Sequence, residues 1–356
     1  MKQVALKDMA GKEELLSEVE GNIGWVTLNR PKALNALSLN MIRKLAHLLK
    51  EWEKSASVKA ILVQGAGEKA FCAGGDVRAV YEAKKQGDLK TCEALFREEY
   101  TLNAHTHQYT KPYVALINGI AMGGGLGVAA NGSHRIVTER ALLAMPETGI
   151  GFFPDVGATT FLNRAPGSVG LYLGLTGFHL KAEDALWTGL ATHFMPSSSL
   201  EAFTRALREG MELEPALTLY SCPLEGKGFL EHHYEEIETH FNKPSLRNIL
   251  ESLANDPSPF SQNTYNTLMT KSPTSLEVVF RQLKKEGPPL SFIERMKLEF
   301  RLSQHFMEGH DFMEGVRAVL VDKDHLPRWR PSTLQDLNPL DIDHYFVSLG
   351  KKELVL

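Results

Sequence analysis

Short apolar runs that alternate with a helical segment constrain the fold of this chain more than any other feature. Runs typical of strands are IGWVTL (23 to 28), AILVQ (60 to 64), YVALIN (113 to 118) and HRIVT (134 to 138). Between the first two lies a segment at 37 to 54 whose apolar residues recur at helical spacing behind Ser38, a favourable N-cap residue. Strands and helices in this order favour an α/β fold with parallel pairing.

The character of the chain changes near residue 200. Beyond it strand-like runs nearly vanish, and amphipathic patterns predict helices over 200–213, 272–287 and 289–309. The polar, proline-containing stretch 252–264 is typical of a linker between helices. We therefore predict a strand-containing core over residues 1–198 and an all-helical C-terminal region over residues 199–356.

Composition narrows the class of ligand and the compartment. With 43% hydrophobic residues, 23% charged residues and a net charge of −4, the 356-residue chain is typical of a folded globular protein without a nucleic-acid footprint. Three scattered cysteines predict neither a disulfide framework nor a zinc site, which indicates a reducing compartment. The first twenty residues carry no secretory or transit pattern, so we expect a cytoplasmic protein with a small-molecule partner and no membrane segment.

Two carboxylates stand in an otherwise almost wholly apolar segment, AMPETGIGFFPDVGA (144 to 158). Because their neighbours are apolar, we expect Glu147 and Asp155 to lie against dry walls that raise their pKa values. Paired acids in such surroundings can transfer protons near neutral pH. The alternative is a helix cap and a turn residue without chemistry.

Two glycine-rich turns offer backbone N–H groups as donors for an anion. In FCAGGDV (71 to 77), Gly74 and Gly75 leave the amide of Gly75 unobstructed, and Asp76 is a candidate cap for the following helix. MGGG (122 to 125) also opens a helix. A tight turn that needs glycine is the alternative for each. Neither turn has the ending of a phosphate loop or the acidic partner of a dinucleotide site.

Four motifs in order resemble the crotonase, or enoyl-CoA hydratase/isomerase, superfamily. They are LNRPKALNALS (28 to 38), FCAGGDV (71 to 77), INGIAMGGGLG (117 to 127) and AMPETGIGFFPDVGA (144 to 158). FREEYTLN (96 to 103), LTGFHLKAEDALWTGLATHF (175 to 194) and GVRAVLVDKDHLPRWRP (315 to 331) are similar to the branch that hydrolyses 3-hydroxyisobutyryl-CoA. The resemblance implies a spiral of ββα turns followed by helices.

The resemblance also implies a catalytic group. The amides of Gly75 and Gly124 match those that hold the thioester oxygen, and Glu147 matches a shared catalytic glutamate. Gly127 stands where the hydratases carry a second glutamate, which puts two-glutamate water addition in doubt, and the hydrolase branch supplies Asp155 instead.

The substrate-binding residues follow from the same matches. Glu99 matches a residue that lines the hydrolase's substrate site, and Lys32 is a candidate for a coenzyme phosphate. The other candidates lie in the adenine-contacting stretch and beside the first glycine turn: Ala33, Leu34, Ala36, Ala73, Asp76 and Val77.

The expected activity is hydrolysis of a short 3-hydroxyacyl-CoA thioester, with 3-hydroxyisobutyryl-CoA from valine breakdown as the leading substrate. Glu147 either attacks the carbonyl or activates water, and Asp155 assists. We expect no cofactor beyond the coenzyme A of the substrate, no metal and no nucleic acid, and a homo-oligomer stays open. The alternatives are an enoyl-CoA hydratase or isomerase and a non-catalytic acyl-CoA-binding protein.

Overall fold

A computed structural model describes residues 13–284 and 290–356, so much of the sequence used for the targeting expectation lies outside the described residues. The described residues form nine strands: β1 (Leu15–Glu20), β2 (Ile23–Leu28), β3 (Ala60–Gly65), β4 (Ala70–Cys72), β5 (Tyr113–Ile117), β6 (Ile120–Met122), β7 (His134–Val137), β8 (Leu142–Ala144) and β9 (His193–Phe194).

The strands form two sheets. The larger has the order β1-β2-β3-β5-β7-β9, and the smaller has the order β4-β6-β8. From β2 to β9 the larger sheet is parallel, as the alternation of strands and helices predicted. Strand β1 pairs antiparallel with β2 through a turn in which Gly21 and Asn22 both have positive φ. The sequence interpretation missed this hairpin, although Gly-Asn is a recognised signal for it.

Helices occupy the connections and nearly all of the regular structure beyond residue 200. They are α1 (Leu39–Lys54), α2 (Val77–Lys85), α3 (Leu89–His107), α4 (Gly124–Ala130), α5 (Ala158–Phe161), α6 (Val169–Thr176), α7 (Ala182–Trp187), α8 (Leu200–Arg208), α9 (Leu213–Tyr220), α10 (Phe229–His232), α11 (Tyr234–Phe241), α12 (Leu246–Ala254), α13 (Pro259–Met269), α14 (Pro273–Leu283), α15 (Phe292–Glu308), α16 (Asp311–Val316) and α17 (Pro339–Tyr345). The predicted cap of the first helix is present, since Ser38 Oγ accepts a hydrogen bond from the amide of Met41.

Two details of the helical region differ from the sequence interpretation. The stretch 252–264 is largely helical rather than a linker, because Ser258 caps α13 and Pro259 takes its first position, where a missing N–H costs nothing. The pattern at 200–213 does not form one helix. It breaks after Arg208, where Gly210 adopts a φ of +96°.

Two compact units can be distinguished, each assembled from three segments. Unit 1 comprises the described residues up to Asp76, Thr101–Leu143 and Leu180–Gly226, and unit 2 comprises Val77–Tyr100, Ala144–His179 and the described residues from Lys227 onward. The boundary predicted at residue 198 separates a strand-containing part from a helical part, whereas these units are defined by packing. The predicted boundary therefore stays a prediction.

The core of unit 1 lies on one face of the larger sheet. Strand residues such as Trp25, Leu62 and Leu116 pack with Phe203 of α8 and Leu217 of α9, and all five are buried. The two amphipathic helices therefore cover the apolar face that the parallel strands present.

Unit 2 is built around aromatic side chains. Phe152 lies with its ring centroid 4.6 Å from that of Phe153 and 4.8 Å from that of Phe312, and Phe153 stacks on Phe306 at 5.3 Å. Phe96 joins them at 5.6 Å from Phe152.

Within the described ranges, no helix combines the length and the apolar character that a membrane crossing requires.

Candidate active site

The two glycine turns are brought together in unit 1 by paired strands. Strands β4 and β6 run parallel, with Ala70 opposite Ile120 and Cys72 opposite Ala121, so the turns that follow them leave the same edge of the sheet. Gly125 at the start of α4 lies so close to the Cys72 carbonyl that a methyl group there would overlap it. Any residue other than glycine at this position would push the two turns apart.

The amides of Gly75 and Gly124 are available as donors in these turns. Leu37 N–H donates to the Gly74 carbonyl, and Asp76 N–H donates to the Leu37 carbonyl, both at 2.9 Å. The residues on either side of Gly75 are therefore hydrogen-bonded to Leu37, whereas the Gly75 amide is not. In the part of the chain that the structure describes, neither amide donates a hydrogen bond. A Cβ built on Gly74, where φ is +120°, would lie 3.8 Å from the Gly124 nitrogen. Two such donors close together can hold an oxyanion.

The predicted coenzyme-contacting stretch lies beside the first turn. Lys32 and Ala33 are exposed on a short 3-10 helix, while Leu34 and Ala36 are half-buried, and the Leu34 carbonyl accepts a hydrogen bond from the half-buried Ala73 at 2.9 Å. The buried Asn35 side chain fixes this stretch.

Asn35 and Arg30 are structural residues that the sequence interpretation missed. Asn35 Oδ1 accepts from the amide of Arg30 at 3.0 Å, and Nδ2 donates to the Ala70 carbonyl at 2.9 Å. The Arg30 guanidinium donates to the Ala36 carbonyl at 2.7 Å and to Asp76 Oδ2 at 2.9 Å. Asp76, predicted as a helix cap and substrate contact, is one of two acidic partners of Arg30, the other being Glu14 at 3.2 Å. Val77, the first residue of α2, is half-buried.

The predicted carboxylates lie together in unit 2. Glu147 opens the 3-10 helix that follows Pro146, and Asp155 follows Pro154, each with 6% of its surface exposed. Tyr100 of α3 donates its hydroxyl to Asp155 Oδ2 at 2.6 Å. Within the described ranges, the buried Oε2 of Glu147 has no hydrogen-bond partner.

Burial gives these acids unusual proton affinities. It raises the pKa of Glu147 well above its ordinary value, and the charge of Asp155 raises it further. Burial also raises the pKa of Asp155, to about 7, although the Tyr100 hydrogen bond opposes that shift. The pKa of Glu99, which is 3% exposed, is raised to about 8 by burial and by Asp155. The apolar neighbours in the sequence predicted the direction of the shifts for Glu147 and Asp155.

A further buried acid, Glu299 of α15, was missed by the sequence interpretation. It accepts hydrogen bonds from the amides of Gly157 at 2.7 Å and Thr159 at 2.9 Å, and from the Thr159 hydroxyl at 2.6 Å. Between Asp155 and Gly157, Val156 adopts a φ of +54°, which is strained for a β-branched residue. Glu299 therefore holds the turn that carries Asp155.

Comparison with known proteins identifies the class. The chain belongs to the enoyl-CoA hydratase/isomerase family, whose model matches residues 23–346. This confirms both the crotonase resemblance and the predicted α/β fold with a helical C-terminal region.

Individual relatives are similar over nearly the whole chain. A mitochondrial 3-hydroxyisobutyryl-CoA hydrolase from Danio rerio is 47% identical, covering 99% of this chain and 94% of the relative. The Homo sapiens protein of the same name is 45% identical over 96% of this chain and 90% of the relative. Among solved structures, a carnitinyl-CoA dehydratase from Mycobacterium thermoresistibile is 38% identical, with a TM-score of 0.90, covering 97% of this chain and 99% of that one.

Proposed function

We propose that the protein hydrolyses a short 3-hydroxyacyl-CoA thioester, and that 3-hydroxyisobutyryl-CoA is its substrate. The relatives that are 45 to 47% identical carry the name of this hydrolase. The observation that carries the chemistry is the unpaired, buried Oε2 of Glu147. Buried polar atoms are nearly always hydrogen-bonded, so an orphaned acid oxygen in a dry site indicates a group reserved for substrate or water.

In this proposal the thioester oxygen is held by the amides of Gly75 and Gly124. These N–H groups stabilise the negative charge that develops on that oxygen when the carbonyl carbon is attacked. Removing one such donor typically costs about 10²- to 10³-fold in kcat.

Glu147 acts on the carbonyl by one of two routes. In the first, its ionised oxygen forms a bond to the carbonyl carbon, the carbon–sulfur bond breaks, coenzyme A leaves and takes a proton, and water then cleaves the anhydride. In the second, Glu147 removes a proton from water, which attacks directly. A raised pKa makes the ionised carboxylate a stronger base, which suits both routes.

Asp155 and Glu99 serve the acyl group. The ionised Asp155, aimed by Tyr100, accepts a hydrogen bond from the substrate's 3-hydroxyl or assists the water. Glu99 Oε1 is buried without a partner in the described chain, and it contacts the polar end of the acyl group.

The test is thiol release from 3-hydroxyisobutyryl-CoA, followed with a thiol-reactive dye. Glu147→Gln should abolish it, while Glu98→Gln, a change at a partly exposed neighbour of Glu99, should leave it unchanged. After a single turnover in ¹⁸O-labelled water, label in the Glu147 carboxylate would establish an anhydride that water cleaves at the Glu147 carbonyl carbon, because direct attack of water on the thioester places label in the product acid alone.

The alternative is enoyl-CoA hydration. A solved structure from Rhodobacter sphaeroides that is named an enoyl-CoA hydratase is 32% identical, with a TM-score of 0.90. Gly127 lies in α4 and offers no side chain for the second acid of that reaction. Loss of crotonyl-CoA absorbance without thiol release from the hydroxyacyl substrate would favour hydration and refute the hydrolase.

A further inference from the structure

A cluster of possible metal ligands lies in unit 2, among residues that the proposed reaction does not use. His305 and Glu308 of α15 and His344 of α17 each present one ligand atom, and these atoms lie within 4.8 Å of one another. The spacing of three residues places His305 and Glu308 on one side of α15, and α17 packs against that helix.

The ring of His305 is oriented as a ligand would be. Its Nε2 lies 3.0 Å from the backbone carbonyl oxygen of Val347, which can only accept, so Nε2 carries the proton. This leaves the lone pair on Nδ1, which is buried and has no hydrogen-bond partner in the described part of the chain. Metal-binding histidines are commonly fixed by such a bond from the opposite ring nitrogen to a carbonyl.

Glu308 lies between the two rings. Its Oε2 is 3.6 Å from His305 Nδ1 and 3.8 Å from His344 Nε2. A tetrahedral ion with bonds of about 2.0–2.1 Å sets its ligand atoms roughly 3.4 Å apart. The side chains of Glu308 and His344 are 68% and 59% exposed, so rotamer changes alone can close the remaining distance.

We propose that His305, Glu308 and His344 bind a divalent cation of the zinc class. Two imidazoles and one carboxylate form a ligand set that suits zinc, with a fourth position open to solvent. The ion would tie α17 to α15 and stabilise the folded chain by mass action. The charge of Glu308 acts on Lys84, so this lysine is a cation that would compete with the bound ion for Glu308.

The experiment is zinc titration of the tag-free protein against a chromophoric chelator, with melting temperature measured in parallel. Cys222→Ser is the parent, because this exposed thiol would otherwise bind zinc. We expect one zinc per chain and a saturable rise in melting temperature. Glu308→Gln and His344→Gln should each weaken binding by about tenfold or more, since even second-shell changes cost ~10- to 100-fold.

The matched control is His47→Gln. His47 and Glu51 form an exposed histidine–glutamate pair at 3.7 Å on α1, outside the cluster, so its loss should leave zinc affinity unchanged. Without metal, the variants should have the same melting temperature as their parent, because the changed side chains are exposed. Absence of binding by the parent, or unchanged affinity in either cluster variant, would overturn the site.

Discussion

Replacing Glu99 by Gln should make the protein more stable at neutral pH while impairing its activity. Glu99 is buried, its Oε1 has no partner in the described chain, and both burial and the charge of Asp155 oppose its ionisation. A buried acid of this kind lowers the stability of the folded state as pH rises. Gln keeps the shape of the side chain and removes the titration.

The magnitude follows from the difference between the two states. The pKa of Glu99 rises from 4.5 to about 8 on folding, so between these values the folded state retains a proton that the unfolded state has lost. Stability then falls as pH rises. At 1.36 kcal/mol per unit, the penalty is ~3 kcal/mol at pH 7 and under ~1 kcal/mol at pH 5. Any packing cost of the amide is the same at both values and cancels in the comparison.

Urea unfolding at pH 5 and pH 7 measures this directly. The free energy of unfolding of Glu99→Gln, relative to the parent, should be larger at pH 7 by ~2 kcal/mol, and thiol release should show a raised KM. Glu98→Gln, a change at a partly exposed position on α3, is the control. A relative stability that is equal at the two pH values would refute the reasoning, because it would mean that Glu99 titrates alike in both states.

Three further changes test the site. Tyr100→Phe removes a hydrogen bond that lowers the pKa of Asp155 and is worth ~1.5–3 kcal/mol, so the acid limb of kcat/KM should move up by ~1–2 pH units; an unmoved limb would contradict this. Glu299→Gln replaces an acceptor oxygen by a donor and should destabilise the fold by ~1–3 kcal/mol in thermal unfolding at pH 5, where the burial that raises the pKa of Glu299 to about 7 adds under ~1 kcal/mol of penalty; it should also lower kcat more than it raises KM, and unchanged stability with unchanged kcat would contradict this. Gly125→Ala should abolish thiol release and cost ~1–3 kcal/mol, and a fully active variant would show that the turns need not touch.

The sequence was sufficient for features with local causes. Apolar periodicity predicted β2, β3, β5 and β7, and the change of pattern near residue 200 predicted the helical region. Glycine runs after short buried strands located both turns, because close approach and positive φ need glycine. The apolar neighbours of Glu147 and Asp155 predicted burial. Each conclusion needed only residues a few positions apart.

Contacts between distant segments could not be predicted in the same way. Glu299 meets Gly157 and Thr159 across about 140 residues, and no local pattern encodes that distance. A weaker signal was available. Glu299 stands on the stripe of α15 that also carries the buried Met296 and Ser303, so a charged residue occupies a core position. An acidic residue on the apolar face of a predicted helix therefore indicates a buried carboxylate with hydrogen-bond partners elsewhere in the chain.

The turn after Asp155 shows why such a distant acid is needed. A left-handed conformation costs a β-branched residue roughly 1–2 kcal/mol. Without contacts that hold it, Val156 would therefore adopt a negative φ, and the side chain of Asp155 would point in another direction. Glu299 accepts a hydrogen bond from the amide of Gly157, which follows the strained residue. Tyr100 donates a hydrogen bond to the carboxylate of Asp155, which precedes it. A strained backbone persists only where its surroundings over-determine it. The direction of Asp155 is therefore set by three segments of unit 2.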